Sequence, residues 1–173
     1  MAANFAFKCS SCGEIHEGSP SYGFKAPDHY ASLSAEQKEA MGRISSDLCT
    51  ITHDEHVDYF VRAVLEVPIH GVSEPFTWGL WVSLSEKSFS RYAETYDNPV
   101  EGDGFLGWVC NRVPWYPEGE TLATDVVVQL DGKRPLLVLH HGSANDHPLI
   151  LDQRHGISVA KAQEIAEYLN HAA

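Results

Sequence analysis

Two neighbouring segments of the chain alternate between apolar and polar positions with a period of two. Within residues 59–69 the alternate positions include Val61 and Leu65, and residues 76–84 repeat the pattern. A period of two places alternate side chains on opposite faces of a β-strand. The intervening residues 68–75 contain Gly71 and are typical of a hairpin connection. We therefore predict two adjacent antiparallel strands.

Further elements follow from the same patterns. Ser34 and Gln37 form a capping-box pattern that predicts a helix as far as about residue 44, and Ser85 is positioned to cap a second helix. Helical spacing also marks residues 158–169. Strands joined by hairpins and interrupted by helices predict an α+β fold with a mainly antiparallel sheet. The additional predicted strands cover residues 105–110, 122–130 and 135–140.

The first 30 or so residues contain many turn-forming residues, and regular structure is not expected to run through them. Gly13, Gly18, Pro20, Gly23 and Pro27 interrupt this segment. No repeat or low-complexity linker divides the rest of the chain. We predict a single domain over residues 1–173, in which the turn-rich segment packs on an α+β body.

The N-terminal segment carries a Cys-x-x-Cys-Gly motif, beginning at Cys9 and including Cys12. This spacing is typical of a zinc knuckle, in which backbone amides point at the sulfurs and glycine permits the tight turn. A structural zinc site needs four ligands, and the preferred set is completed by His16 and Cys49. A redox dithiol and unligated thiols are the alternatives.

Acidic residues outnumber basic ones 24 to 12 in the 173-residue chain, and the net charge is -12. Such a charge disfavours binding to nucleic acid or to anionic membranes and suits a basic protein partner. No apolar run approaches the ~20 residues of a membrane-spanning helix. The N-terminus lacks the pattern of a signal peptide, so we expect a soluble cytoplasmic protein.

A second group of potential ligands lies in residues 140–147, which hold three histidines and an aspartate. We favour a surface loop in which Asp146 turns the backbone and orients His147. The alternative is a metal-dependent hydrolase in which Asp146 and His147 hold or activate a water molecule. Glu66 or Glu86 would then act as the base.

Three functions follow from these observations. The first is a non-enzymatic, zinc-stabilised acidic domain that binds a protein partner, for example an immunity-type inhibitor that blocks a toxin. The second is the hydrolase. The third is a small-molecule sensor that uses the strand face bearing Trp81, although packing in the core is the preferred interpretation of that side chain.

The chain resembles the bacterial domain of unknown function 2199 family along nearly its whole length. The resemblance implies that Cys9, Cys12, His16 and Cys49 belong to one pattern and that residues 146–148 matter to the family. It implies no activity. The residues that carry it are Cys9-Ser10-Ser11-Cys12-Gly13, His16, Ser46-Asp47-Leu48-Cys49-Thr50-Ile51, Trp78-Gly79-Leu80-Trp81-Val82-Ser83-Leu84-Ser85-Glu86, Phe105-Leu106-Gly107-Trp108 and Asp146-His147-Pro148-Leu149.

Overall fold

The computed structural model describes residues 3–142 and 145–171, which contain ten strands and five helices. This composition and the mainly antiparallel pairing confirm the α+β prediction. The strands are β1 (Ala6–Lys8), β2 (Ile15–Glu17), β3 (Ser21–Gly23), β4 (Gly42–Ile44), β5 (Leu48–Thr52), β6 (Val57–Val67), β7 (Phe76–Leu84), β8 (Gly104–Val109), β9 (Ala123–Val127) and β10 (Leu136–Leu139). The helices are α1 (Asp28–Ala31), α2 (Ala35–Met41), α3 (Glu86–Glu94), α4 (Pro148–His155) and α5 (Val159–His171).

Five strands close into a mixed barrel. The long hairpin of β6 and β7 pairs in antiparallel register from Tyr59 opposite Leu84 to Val67 opposite Phe76. Antiparallel pairing continues from β7 through β8 and β9 to β10. The ring is closed where β10 pairs with β6 in parallel, at Leu136 opposite Val64. This closure leaves fewer unpaired strand edges than an open sheet would.

The two strands of the long hairpin also extend the sheet beyond the barrel. The edge of β7 that faces away from β6 pairs with β8 at Val82 and Ser83. Nearer the start of β7, the same edge pairs in parallel with β3. The edge of β6 that faces away from β7 pairs with β5 along the first half of the strand, and β5 in turn pairs with β4. Neither β5 nor β4 was predicted from the sequence, although in β5 the buried Cys49 and Ile51 alternate with threonines.

The apolar positions of the alternating segments form the core. Val61, Ala63 and Leu65 are fully buried, and α5 contributes Ala162 and Ile165 to the same cluster. A second, smaller cluster packs on the other face of the β6–β7 hairpin. Its buried members are Cys49, Ile51, Phe60, Trp81 and Cys110.

The boundaries of α2 differ from the prediction in one instructive way. The capping box of Ser34 and Gln37 is present as predicted, but the helix ends at Met41 and residues 42–44 turn into β4. The ring of Tyr30 lies against Gly42, where a side-chain carbon would come within 2.5 Å of Tyr30 Cε2. Glycine therefore permits the close approach at which the chain leaves the helix.

Helix α4 was not predicted. It begins immediately after His147, whose ring caps the helix, and Pro148 occupies its first turn. The segment has little amphipathic periodicity, which is the signal on which helix prediction depends. Within the described residues, none of the helices is both long and apolar enough to cross a membrane.

Candidate metal centre

The Cys-x-x-Cys motif forms the turn of a small hairpin made by β1 and β2. The amide of Cys9 donates to Glu14 O at 2.8 Å, and the amide of Gly13 donates back to Cys9 O at 3.0 Å. Gly13 has φ +75°, a conformation that glycine adopts without strain. The local geometry is therefore the knuckle turn that the motif predicts.

The backbone of this turn favours a thiolate at Cys9. A hydrogen bond from the Cys12 amide is the main cause that lowers the pKa of the Cys9 thiol to about 6, and the Ser11 amide and the side chains of Cys12 and His171 contribute. At neutral pH Cys9 is then mostly a thiolate, which is the form that binds metal ions. Cys9 is buried, and this burial opposes the hydrogen bonds by acting to raise the pKa of the thiol.

Three side chains converge at the knuckle with the spacing of metal ligands. The ligand atoms of Cys9, Cys12 and His171 all lie within 4.8 Å of one another. The Sγ atom of Cys9 is 3.0 Å from Nε2 of His171, which is the last residue of α5. Two sulfurs and an imidazole form a donor set that suits zinc.

A fourth donor lies next to this group. Nε2 of His16, on β2, is 3.5 Å from Sγ of Cys12. The His16 ring stacks on Phe7 of the neighbouring strand with a centroid distance of 5.2 Å. His16 is thus close to Cys12 but outside the tightest group of three.

One face of α5 holds the knuckle turn in place. Gln163, Glu167 and His171 are spaced four residues apart and therefore lie on the same face of the helix. The Glu167 carboxylate accepts hydrogen bonds from the Ser10 amide at 2.8 Å and from the Ser10 hydroxyl at 2.7 Å. These bonds, led by the amide, lower the pKa of Glu167. The N-terminal turn and the C-terminal helix are thereby connected even without an ion.

The four ligands expected from the sequence are only partly brought together. Cys9, Cys12 and His16 lie at the knuckle, whereas Cys49 is buried on β5 in the second core cluster with Phe60 and Trp81. Burial raises the pKa of the Cys49 thiol to about 12, which keeps it protonated. The structure thus places His171, rather than Cys49, beside Cys9. Sequence spacing alone could not identify His171, since 159 residues separate it from Cys12.

Replacing His171 with alanine is expected to weaken zinc binding by more than about tenfold, because loss of even an outer-shell partner of a metal site costs that much. Competition with a chromogenic chelator measures the change. His155→Ala removes an exposed histidine at the end of α4 and is the matched control, which should bind zinc like the wild type. Equal zinc affinity in both variants would show that His171 is not a ligand.

The loop containing Asp146 and His147 is engaged with the backbone. Nδ1 of His147 accepts from the Leu149 amide at 3.2 Å, and Nε2 donates to Pro117 O at 2.8 Å. Both ring nitrogens are therefore used, as expected of a capping residue. Asp146 Oδ2 accepts from the Gly142 amide at 3.2 Å. These bonds agree with the structural interpretation of the loop, of which residues 143 and 144 lie outside the described part of the chain.

Trp81 is a core residue. It is fully buried, and its indole Nε1 donates to Phe24 O at 3.0 Å. The preferred packing interpretation is confirmed, and Trp81 offers no surface to the sensor function considered above.

A separate cleft of about 710 Å³ is lined by Asp47, Tyr92, Tyr96 and Arg134. Burial acts to raise the pKa of Asp47, but hydrogen bonds from Arg134, Ser46 and Tyr96 outweigh it, and the net pKa is lowered. The Arg134 Nε to Asp47 Oδ1 distance is 2.7 Å. The two charges at this wall of the cleft thus neutralise each other.

Comparison with known proteins agrees with the resemblance seen in the sequence. The model of the DUF2199 family, described as an uncharacterized protein conserved in bacteria, matches residues 8–157. That range includes Cys9, Cys12 and His16 but ends before α5 and His171. No curated protein and no solved structure matches the chain. Since the matched range covers most of its length, the chain belongs to the DUF2199 family.

Proposed function

We propose that the chain is a non-enzymatic, zinc-stabilised acidic domain that binds a basic protein through the outer face of β8, β9 and β10. The single observation that carries the proposal is an exposed apolar strip on that face, formed by Leu106, Trp108 and Val138. Their exposed fractions are 57%, 47% and 50%. Exposed apolar clusters on a folded domain mark interaction surfaces more often than isolated apolar residues do.

The strand register places the apolar residues of the strip on both sides of Asp125. Leu106 lies opposite Asp125, and Asp125 lies opposite Val138, so the three side chains form one row across three strands. Trp108 is two residues along β8 from Leu106 and therefore shares its face. Tryptophan is among the residues that contribute most to binding energy at protein interfaces.

Charge supports a basic partner. The carboxylate of Asp125 stands in the middle of the row, with its side chain 59% exposed, and accepts from His140 Nε2 at 2.9 Å. The whole chain has a net charge of -12. A carboxylate among apolar side chains, on a chain of this net charge, accelerates the encounter with a positively charged protein and disfavours acidic competitors.

The zinc ion has a structural role in this proposal. Cys9, Cys12, His16 and His171 would supply two thiolates and two imidazoles, a closed set that leaves no position for a substrate. The ion would join the β1–β2 hairpin to α5, which itself packs into the barrel core through Ala162 and Ile165. Zinc thus stabilises the domain, and the sheet face binds the partner.

Affinity capture from an extract of the encoding bacterium tests the binding face. We expect the immobilised chain to retain a basic protein whose rebinding, after purification, weakens by at least about tenfold in a Leu106→Ala/Trp108→Ala variant. Asp125→Lys should weaken it as well, and added salt should slow association. Leu151→Ala/Tyr168→Ala removes exposed apolar side chains from α4 and α5 and is the matched control.

Two results would contradict the proposal. One is the absence of any protein retained above background. The other is a retained protein whose affinity is equal for the strip variant and the control. If the partner is a toxin whose activity the chain suppresses, the function takes the specific form of an immunity-type inhibitor.

A further inference from the structure

We propose a second metal site, for a divalent first-row transition ion, at the hairpin between β5 and β6. Its ligands are His53, His56 and Asp58, whose ligand atoms all lie within 4.8 Å of one another. This site is independent of the knuckle in position and in donor type, since it contains two imidazoles and a carboxylate and no sulfur.

The carboxylate of Asp58 already bridges the two imidazoles. Nε2 of His53 is 2.9 Å from Oδ2, and Nε2 of His56 is 3.6 Å from Oδ1 of the same aspartate. The two rings stack with a centroid distance of 4.3 Å and an interplanar angle of 15°. Small ring rotations would suffice to direct both nitrogens and one carboxylate oxygen at a common ion.

The backbone holds these residues in a defined turn. The amide of His53 donates to His56 O at 2.8 Å, directly beyond the last strand pair of Thr52 and Val57. Asp58 pairs across the strands with Ile51, which is buried in the second core cluster. The site therefore stands on an anchored part of the sheet, a favourable foundation for a metal centre.

The surroundings leave room for further ligands. A shallow cavity of about 380 Å³ lies at the turn and is lined by residues that include Met41, Thr52, His53 and His56. The side chains of His53 and Asp58 are 31% and 34% exposed, and that of His56 is 63% exposed. Three protein ligands on one side of the ion, with solvent on the other, leave coordination positions for water.

The donor set selects the class of ion. Imidazole nitrogens suit zinc, copper, nickel and cobalt, whereas magnesium and calcium prefer oxygen ligands. The exposure of the site predicts an ion that a chelator removes readily, in contrast to the closed thiolate centre at the knuckle. The two sites are therefore distinguishable in the same sample.

Cobalt(II) added to the full chain that carries one equivalent of zinc, at the knuckle, tests the proposal. We expect one further equivalent to bind, without the near-ultraviolet thiolate-to-cobalt absorption, and to shift the ring-proton NMR signals of His53 and His56. His53→Ala and Asp58→Asn should each weaken this binding by at least about tenfold. Glu55→Gln, in the same turn, is the matched control and should bind cobalt like the wild type.

Either of two results would overturn the site. One is failure of cobalt to bind beyond the zinc equivalent, and the other is cobalt binding that leaves the two histidine signals unmoved. Asp58→Asn is nearly isosteric, so it keeps the test decisive if the histidine variant is unstable. Because the knuckle stays loaded with zinc throughout, failure here would leave the zinc-stabilised fold unaffected.

Discussion

The double variant Cys9→Ser/Cys12→Ser is expected to hold no zinc after a chelator has emptied the exposed site at His53 and His56, and to unfold on the order of 10 °C below the wild type. The reason is linkage, since an ion that binds only the folded state adds a free energy of unfolding that grows with the logarithm of the free ion concentration relative to its Kd. In this fold the ion would connect the first hairpin to His171 at the end of α5. Its loss should therefore loosen both termini together. Elemental analysis and calorimetry measure the two effects.

Cys49→Ala is the matched control for that variant. It removes a cysteine that the sequence pattern associates with the knuckle but that the structure buries in the second core cluster. We expect it to retain zinc fully, with a modest loss of stability from the small cavity. After the same chelator treatment, loss of zinc from Cys49→Ala, or retention of zinc by the double serine variant, would contradict the ligand set proposed here.

The second large effect is expected at Asp152 in α4, whose buried carboxylate contacts Lys161 of α5 and Tyr116 of the segment between β8 and β9. Oδ2 accepts from the Tyr116 hydroxyl at 2.8 Å and lies 2.7 Å from Nζ of Lys161. Asp152→Ala would leave a buried hydroxyl and a partly buried ammonium group without their acceptor. We expect the free energy of unfolding to fall by about 3 kcal/mol. This value is at the low end of the range for breaking a buried ion pair, because Lys161 keeps some contact with water.

Tyr116→Phe is the matched control for Asp152→Ala. It removes one hydrogen bond while the carboxylate keeps its lysine, so it should cost about 1 kcal/mol. Urea unfolding at neutral pH measures both variants. Equal losses in the two variants would show that the lysine contact contributes nothing, and a negligible loss in Asp152→Ala would show that the network does not stabilise the fold.

The central hairpin was predictable from sequence because its signal is local. The alternation in β6 and β7 requires only that one face meets a core, and the barrel supplies that core. The closure of the barrel was not predictable in the same way. It depends on a single parallel pair, Leu136 with Val64, between strands far apart in the chain.

The candidate metal site shows the same division between local and distant information. The knuckle turn around Cys9 and Cys12 follows from their spacing and from Gly13. The third candidate ligand, His171, lies beside Cys9 because of the way α5 packs. That packing is decided by apolar contacts such as those of Ile165 and not by any motif. Cys49 illustrates the opposite case, because a cysteine that the sequence pattern groups with the motif lies in the second core cluster.

X-ray absorption at the zinc edge identifies the atoms that bind zinc at the knuckle. The spectrum is measured on the tag-free His53→Ala/His56→Ala variant, so that zinc at the second proposed site does not contribute. It should fit about two sulfurs at ~2.3 Å and two nitrogens at ~2.0–2.1 Å from the zinc ion. That result would establish the knuckle as a closed Cys2His2 centre. A shell of nitrogen and oxygen alone, or protein that contains no zinc, would contradict the account.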